Sequence, residues 1–215
     1  DESPVDVMRP VFHPRLVNGP FGDPGLFISF LFQGRAVLFD IGDIAALSPR
    51  DILKISHVFV THTHMDHFIG FDQWLRLLLG RDKRVHLFGP QDILANIEGK
   101  LAGYTWNLVD TYQHRLVLDV TEITESTWIT RSYPCRGQFR PQSERRQAPS
   151  GPILLAEPAF SVSTAVLDHG TPCLGFALQE SFHINIRKNR LDELGLAPGP
   201  WLQEFKSALY AQKPA

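Results

Sequence analysis

The sequence predicts an α/β layered domain, and three observations predict it. Strand-like and helix-like segments alternate from residue 26 to about residue 101, the order that builds a sheet with helices laid on it. The run His57-Val58-Phe59-Val60 reads as a strand covered on both faces. Two later stretches repeat apolar residues at helical spacing: Phe71, Trp74, Leu75 and Leu78, then Ile93, Leu94, Ile97 and Leu101. At 215 residues, 43% of them apolar, the chain can bury a sizeable core in one domain, or in one domain with an appendage.

The first 25 residues are rich in Pro and Gly, including Pro10, Pro14, Gly19, Pro20, Gly22, Pro24 and Gly25, and read as an irregular lead-in with turns. Residues 26–32 are β-branched and aromatic, Gln33-Gly34 has turn chemistry and residues 35–39 are apolar again, which reads as a hairpin ending at Asp40-Ile41-Gly42. Ser48 is placed to cap a short helix with Pro49 in its first turn. The Phe71 helix stops at Gly80, residues 85–88 form a short strand, and Pro90 starts the next helix. From residue 116 the chain turns to strand-like runs at 116–120, 127–131, 153–156, 160–167 and 174–179. Between them, residues 134–152 carry Arg136, Arg140, Arg145 and Arg146 with few apolar side chains. This segment reads as a mobile loop, either a solvated insertion or a basic flap over an anionic substrate. Residues 190–210 are amphipathic and broken by Pro198-Gly199-Pro200.

The formal net charge of −2 excludes the wholesale basic surface of many nucleic-acid binders, though not a local patch. Cys135 and Cys173 are too few for a disulfide framework and too far apart for a zinc knuckle, so both read as reduced thiols. No apolar run reaches the roughly 18–20 residues that span a bilayer. The acidic start, Asp1-Glu2-Ser3-Pro4-Val5-Asp6, is unlike a secretory signal. The expected compartment is the cytoplasm, with no membrane partner.

Residues 61–67 read Thr-His-Thr-His-Met-Asp-His, which contains H-x-H-x-D-H, four metal-ligand-type side chains in six positions. At the end of a strand, His62 and His64 point to one side by the alternation of the pleat. Asp66 and His67 follow where the backbone turns into a helix and face back toward the same point. Imidazole and carboxylate together suit zinc, and also manganese or iron. This is more than one ion takes from a compact loop, which suggests two metals about 3.5–4 Å apart with an activated water between them. The plainer alternatives are a polar loop with histidines by chance and a closed structural zinc site, which would favour cysteines. His13, His57, His86, His114 and His183 are scattered and read as surface or core histidines.

With this loop the chain resembles the metallo-β-lactamase superfamily of metal-dependent hydrolases, whose signature is H-x-H-x-D-H after a strand. Leu38-Phe39-Asp40-Ile41-Gly42 resembles the superfamily's earlier strand-end aspartate and glycine, and implies that Asp40 orients the histidine loop. The stretch from Thr164 to Phe176, with Asp168-His169-Gly170 at its centre, looks like the ribonuclease Z branch. It implies that His169 is the third histidine beside His62 and His64, with Asp168 turned away. The stretch from Leu191 to Pro200 resembles that branch's segment ending in Pro-Gly-Pro, part of an arm that grips substrate tRNA. Arg187, Lys188, Arg190 and Lys206 would give it a few phosphate contacts; the alternative is an amphipathic helix pair packed on the body.

The resemblance implies an αββα sandwich, or its N-terminal two-thirds, with a projecting helical arm. Residues 1–180 would be the hydrolase domain, 134–152 its mobile basic loop and 181–215 the arm-like segment. The implied activity is that of a dizinc phosphodiesterase using a metal-bound hydroxide. His62, His64 and His169 would hold the first ion and Asp66 and His67 the second, with Asp66 also the catalytic general base. The implied partners are a phosphodiester substrate, tRNA or another RNA, and by analogy a second copy of the chain. The rivals are a hydrolase of the same fold acting on a sulfate ester, thioester or lactone, and a non-catalytic member that keeps a partial site.

Two departures stand out. The branch's early Gly-Thr-rich turn with an Arg-Asn pair has no counterpart, and residues 20–25 fill roughly that slot. The branch's bridging aspartate and final histidine follow the arm, yet the fifteen residues after Pro200 contain neither Asp nor His. Five of the seven ligands that the resemblance implies are therefore present, and the sequence reads as a fragment of a longer protein, the alternative being a degenerate site.

Overall fold

A computed structural model describes residues 12–30, 34–181, 186 and 188–210. The expected turn at Gln33 and the readings of residues 1–11, His183 and Arg187 lie outside the described residues. Eight strands in sequential order form one sheet: β1 (Phe12–Leu16), β2 (Leu26–Phe30), β3 (Ala36–Phe39), β4 (Ile55–Phe59), β5 (Lys83–Gly89), β6 (Leu116–Ile123), β7 (Trp128–Pro134) and β8 (Ser143–Gln147). β3 to β6 are parallel, and antiparallel hairpins flank them. Parallel neighbours need crossovers. Here these carry α1 (Pro49–Lys54), α2 (Met65–Phe68) with α3 (Phe71–Leu78), and α4 (Ile93–Ala102). A second, antiparallel sheet holds β9 (Ile153–Glu157), β10 (Phe160–Asp168) and β11 (Pro172–Glu180), with β10 in the middle.

Two buried clusters define the layers. On one face of the large sheet, Leu38, Val58, Leu87 and Leu118 pack with Ile52, Trp74, Leu78 and Ile97 of the helices. On the other face, Val37, Phe59 and Phe88 pack with Phe160, Val162 and Leu174 of the small sheet. Helix layer, sheet and second sheet are three of the four layers expected of an αββα sandwich. The central strands are therefore apolar on both faces, which is why their sequence shows no clean alternation. Ser48 caps α1 as expected, its side chain accepting from the Asp51 backbone N–H.

Some boundaries differ from the sequence reading. Part of the lead-in is strand: β1 tolerates Pro14 because it is an edge, where a missing N–H leaves no bond unmade. The segment read as a loop contains a short 3-10 turn (Cys135–Gly137) and β8, whose Ser-Glu-Arg-Arg-Gln is exposed throughout. An edge strand solvated on both faces has no apolar period to betray it. Pro90 precedes α4, which begins at Ile93 behind the left-handed Asp92. Past the small sheet, α5 (Lys188–Glu193) and α6 (Trp201–Tyr210) lie on either side of the Pro-Gly-Pro break. No described helix is long and apolar enough to cross a membrane.

Between the two sheets, His57 stacks on His86 with ring centroids 4.9 Å apart. Arg35 lies 3.0 Å from His57 Nδ1 and makes a bidentate pair with Glu157 of the small sheet. Burial first, then the nearby His86 and Arg35, depress the His57 pKa to about 3 from the ordinary 6.5. Between those values the unfolded chain binds a proton that the folded chain refuses, so stability falls as pH drops from 6.5 toward 3. The full effect is roughly 5 kcal/mol. Thermal unfolding of His57→Phe is expected to lose most of this acid dependence, and an unchanged pH slope would refute the assignment.

Candidate metal centre

The histidine loop sits at the ends of parallel strands, where the two sheets meet. β3 delivers Asp40 just past Phe39, β4 delivers Thr61 and His62, and α2 carries Asp66 and His67. Asp40 is buried and left-handed, at φ +58°. Its Oδ1 accepts from the Thr61 backbone N–H at 2.7 Å and lies 2.9 Å from the Thr61 hydroxyl. Its Oδ2 lies 2.9 Å from His67 Nδ1. A carboxylate only accepts, so His67 carries its proton on Nδ1 and keeps the Nε2 lone pair free. That is the tautomer a metal ligand needs.

The four candidate histidines converge. His62 lies at ring-centroid distances of 4.5 Å from His64, 4.0 Å from His67 and 5.5 Å from His169, while His64 and His169 are 6.4 Å apart. His169, remote in sequence, arrives on the hairpin turn between β10 and β11. The Leu174 N–H donates to the Thr61 carbonyl at 2.8 Å and fastens this hairpin beside the loop. Asp168 is spent on the turn, accepting from the Gly170 N–H at 2.8 Å. Asp66 is more than half exposed, with Oδ2 3.7 Å from His67 Nε2. Burial first, then its neighbours His67 and His64, hold the His62 pKa below its ordinary value. This favours the neutral ring, the form that donates a lone pair.

In donor chemistry the cluster fits a zinc-type ion: four imidazoles and a carboxylate, with one imidazole oriented by a buried acid. The donors are not closed around a point, however. His62 Nε2 and His64 Nδ1 face each other at 3.0 Å, and no three His, Cys, Asp or Glu side chains among the described residues are grouped for ligation.

Three supports escaped the sequence reading. Thr61 bridges Asp40 to the loop, and Asn96 of α4 donates to Thr63 at 3.0 Å. Gly70 lets α3 begin against residue 42. Thr61 stood beside the motif and could have been found; a polar residue on an otherwise ordinary helix gives no signal. The remaining histidines behave as expected where described: His13 and His114 are exposed, and His57 is a buried core residue.

Three layers with an H-x-H-x-D-H loop where the sheets meet make an α/β sandwich with its candidate metal centre at the strand ends. Sequence comparison is more particular: the chain is similar to ribonuclease Z. It is 30% identical over 174 residues to ribonuclease Z of Deinococcus radiodurans, covering 80% of this chain and 52% of that protein. With ribonuclease Z of Pyrococcus abyssi it shares 30% over 194 residues, covering 83% and 50%. The chain thus spans about half the length of the curated relatives it matches. Among solved structures, the short form of human tRNase Z aligns at a TM-score of 0.46 and 16% identity, covering 79% of this chain and 61% of that one. The metallo-β-lactamase fold protein YhfI of Bacillus subtilis aligns at 0.44 and 18%, covering 76% and 56%. No family model matches the chain.

Proposed function

We propose that this chain carries the phosphodiesterase centre of a ribonuclease Z-like endonuclease, with RNA, and tRNA in particular, as substrate. The observation that carries the reading is the gathering of His169 from the small sheet to His62, His64 and His67 from the large one. The similarity to ribonuclease Z over four-fifths of the chain supports it. In this reading residues 1–180 form the hydrolase domain and 181–215 the arm-like segment. His62, His64 and His169 would hold one zinc ion and Asp66 and His67 another, manganese or iron being the alternatives. Such ions supply a nucleophile at neutral pH and neutralise phosphate charge. The exposed Asp66 carboxylate would take the proton of the attacking water. Asp40, through Thr61 and His67, would hold the loop in register. A homodimer in the cytoplasm is the assembly this reading implies.

The test is hydrolysis of an activated aryl phosphodiester with added zinc or manganese, comparing the parent chain with His64→Ala. The parent should turn over and the variant fall at least about a hundredfold; equal rates would sink the proposal. The second reading is a non-catalytic member of the fold that keeps a partial metal site. Metal analysis separates the two: about two ions per chain supports the enzyme, and one or none the module.

A further inference from the structure

Charge is unevenly spread over this molecule. Residues 131–146 hold five arginines against one glutamate, a local +4 in a chain of net −2, so the remainder stands at −6. The structure places this charge on one border. β8 is the outer strand of the large sheet, and Arg145 and Arg146 of β8 are exposed, as are Arg136 and Arg140 on the connection leading into it. Glu144 lies within 2.7 Å of Arg131 and 2.6 Å of Arg146, and Arg131 also reaches Glu98. Arg136, Arg140 and Arg145 make no ion pair or side-chain hydrogen bond among the described residues.

Charged side chains on an edge strand also discourage pairing with another strand. That accounts for Arg145 and Arg146 but not for Arg136 and Arg140, which lie off the strand. The connection is also held in shape. Gln138 and Phe139 are both left-handed, at φ +55° and +54°, and Phe139 is buried against Trp106 at 4.7 Å between ring centroids. A fixed turn thus presents Arg140 in place of a slack loop.

Strand direction places this border relative to the histidine cluster. β8 runs in the direction of the parallel strands, so Arg145 and Arg146 lie part-way toward the histidine end, whereas the connection with Arg136 and Arg140 lies at the opposite end, beside the start of β6. From β4 to β8 is four strand spacings, about 19 Å, and the length of the strands adds roughly 23 Å at right angles to it. A nucleic-acid strand at about 3.4 Å per nucleotide covers the diagonal, roughly 30 Å, in about nine nucleotides.

We propose that the border formed by Arg136, Arg140 and Arg145 binds the phosphate backbone of RNA at the far end of the sheet, up to about nine nucleotides from the bond at the histidine cluster. This deepens the reading of the site as an RNA phosphodiesterase and rests on it for the identity of the polyanion. Unpaired guanidiniums on a defined turn suit phosphates, and the acidic remainder of the surface repels RNA from other faces.

The test is fluorescence anisotropy of a labelled RNA stem-loop with a single-stranded 3′ end, using the full chain at several salt concentrations, with RNA integrity checked on a gel. The variant combines Arg136→Ala, Arg140→Ala and Arg145→Ala. The control removes three exposed arginines elsewhere, Arg50→Ala, Arg81→Ala and Arg115→Ala. The border variant should bind at least about tenfold more weakly at low salt, with the log–log salt slope reduced by about 2–3. Its thermal unfolding should match the parent's. Border binding within twofold of the parent, an equal loss in the control, no RNA binding by the parent, or equally tight binding of a polyglutamate peptide would each overturn the proposal. Aryl phosphodiester hydrolysis, run in parallel, should be the same in the border variant and the parent. If the parent shows none, the reading of the site fails separately, while the binding data still decide the border.

Discussion

Gly42→Ala is expected to destabilise the fold by about 3–5 kcal/mol, enough to leave much of the chain unfolded. A Cβ built on Gly42 would stand 2.2 Å from the Asp66 carbonyl oxygen, 2.7 Å from Asp23 Cβ and 2.8 Å from the Pro24 carbonyl oxygen. Two of these are backbone atoms from different segments, so no side-chain rotation relieves the overlap. A Cβ on Gly70 would in turn meet the Gly42 carbonyl oxygen at 2.2 Å. The strand-end turn and the start of the helices are packed main chain to main chain. Three hydrogen bonds hold them there: Ile41 N–H to His67 O at 2.9 Å, Gly70 N–H to Ile41 O at 2.9 Å, and Gly42 N–H to Pro24 O at 3.1 Å. An alanine must lift residues 40–42 away from α2 and break some of them. The loop that carries Asp66 and His67 would move with them. Gly99→Ala is the control: it lies within α4 with nothing near its Cβ position, and should be neutral or stabilising by up to about 1 kcal/mol. Urea denaturation of both variants checks the pair, and a Gly42→Ala midpoint equal to the parent's would refute the packing.

This contact shows which parts of the architecture were legible in the sequence. The Asp40-Ile41-Gly42 turn and the H-x-H-x-D-H run could each be read locally, because strand ends and ligand loops have short, strict patterns. Their backbone contact could not, since nothing local says that residue 42 touches residue 66. The helix faces were readable for the same local reason: Trp74 and Leu78, or Ile97 and Leu101, repeat at helical spacing against one core. β8 and β1 were not, because an edge strand need not bury one face and its polar or proline-containing sequence carries no period. His169 was an ordinary histidine in a hairpin turn until the ribonuclease Z-like pattern around it was considered. The structure carries that turn to within 5.5 Å of His62 between ring centroids. The spacing of the donors lay beyond sequence altogether, because hydrogen bonding and charge set it within a few tenths of an ångström.

Asp40→Ala should be the second most damaging change, at about 2–4 kcal/mol, and its comparison with Asp40→Asn separates stability from metal binding. Alanine leaves the Thr61 backbone N–H, the Thr61 hydroxyl and His67 Nδ1–H without their acceptor in a largely buried site, and it tolerates φ +58° poorly. Asparagine accepts left-handed backbone more readily than most residues, and its carbonyl oxygen can still serve Thr61. Its amide nitrogen would then face His67 Nδ1 as a donor, and the imidazole would have to move its proton to Nε2 to accept that bond. The lone pair that pointed toward Asp66 would be lost. Asp40→Asn should therefore keep more of the parent's stability than alanine, yet bind zinc about 10–100-fold more weakly, as loss of an orienting acid does at metal-bound histidines. Chemical denaturation gives the first quantity and equilibrium dialysis the second. Zinc affinity equal to the parent's in Asp40→Asn would show that the acid serves only the fold; a drop in affinity without a matching drop in stability would mark Asp40 as the residue that sets the His67 tautomer.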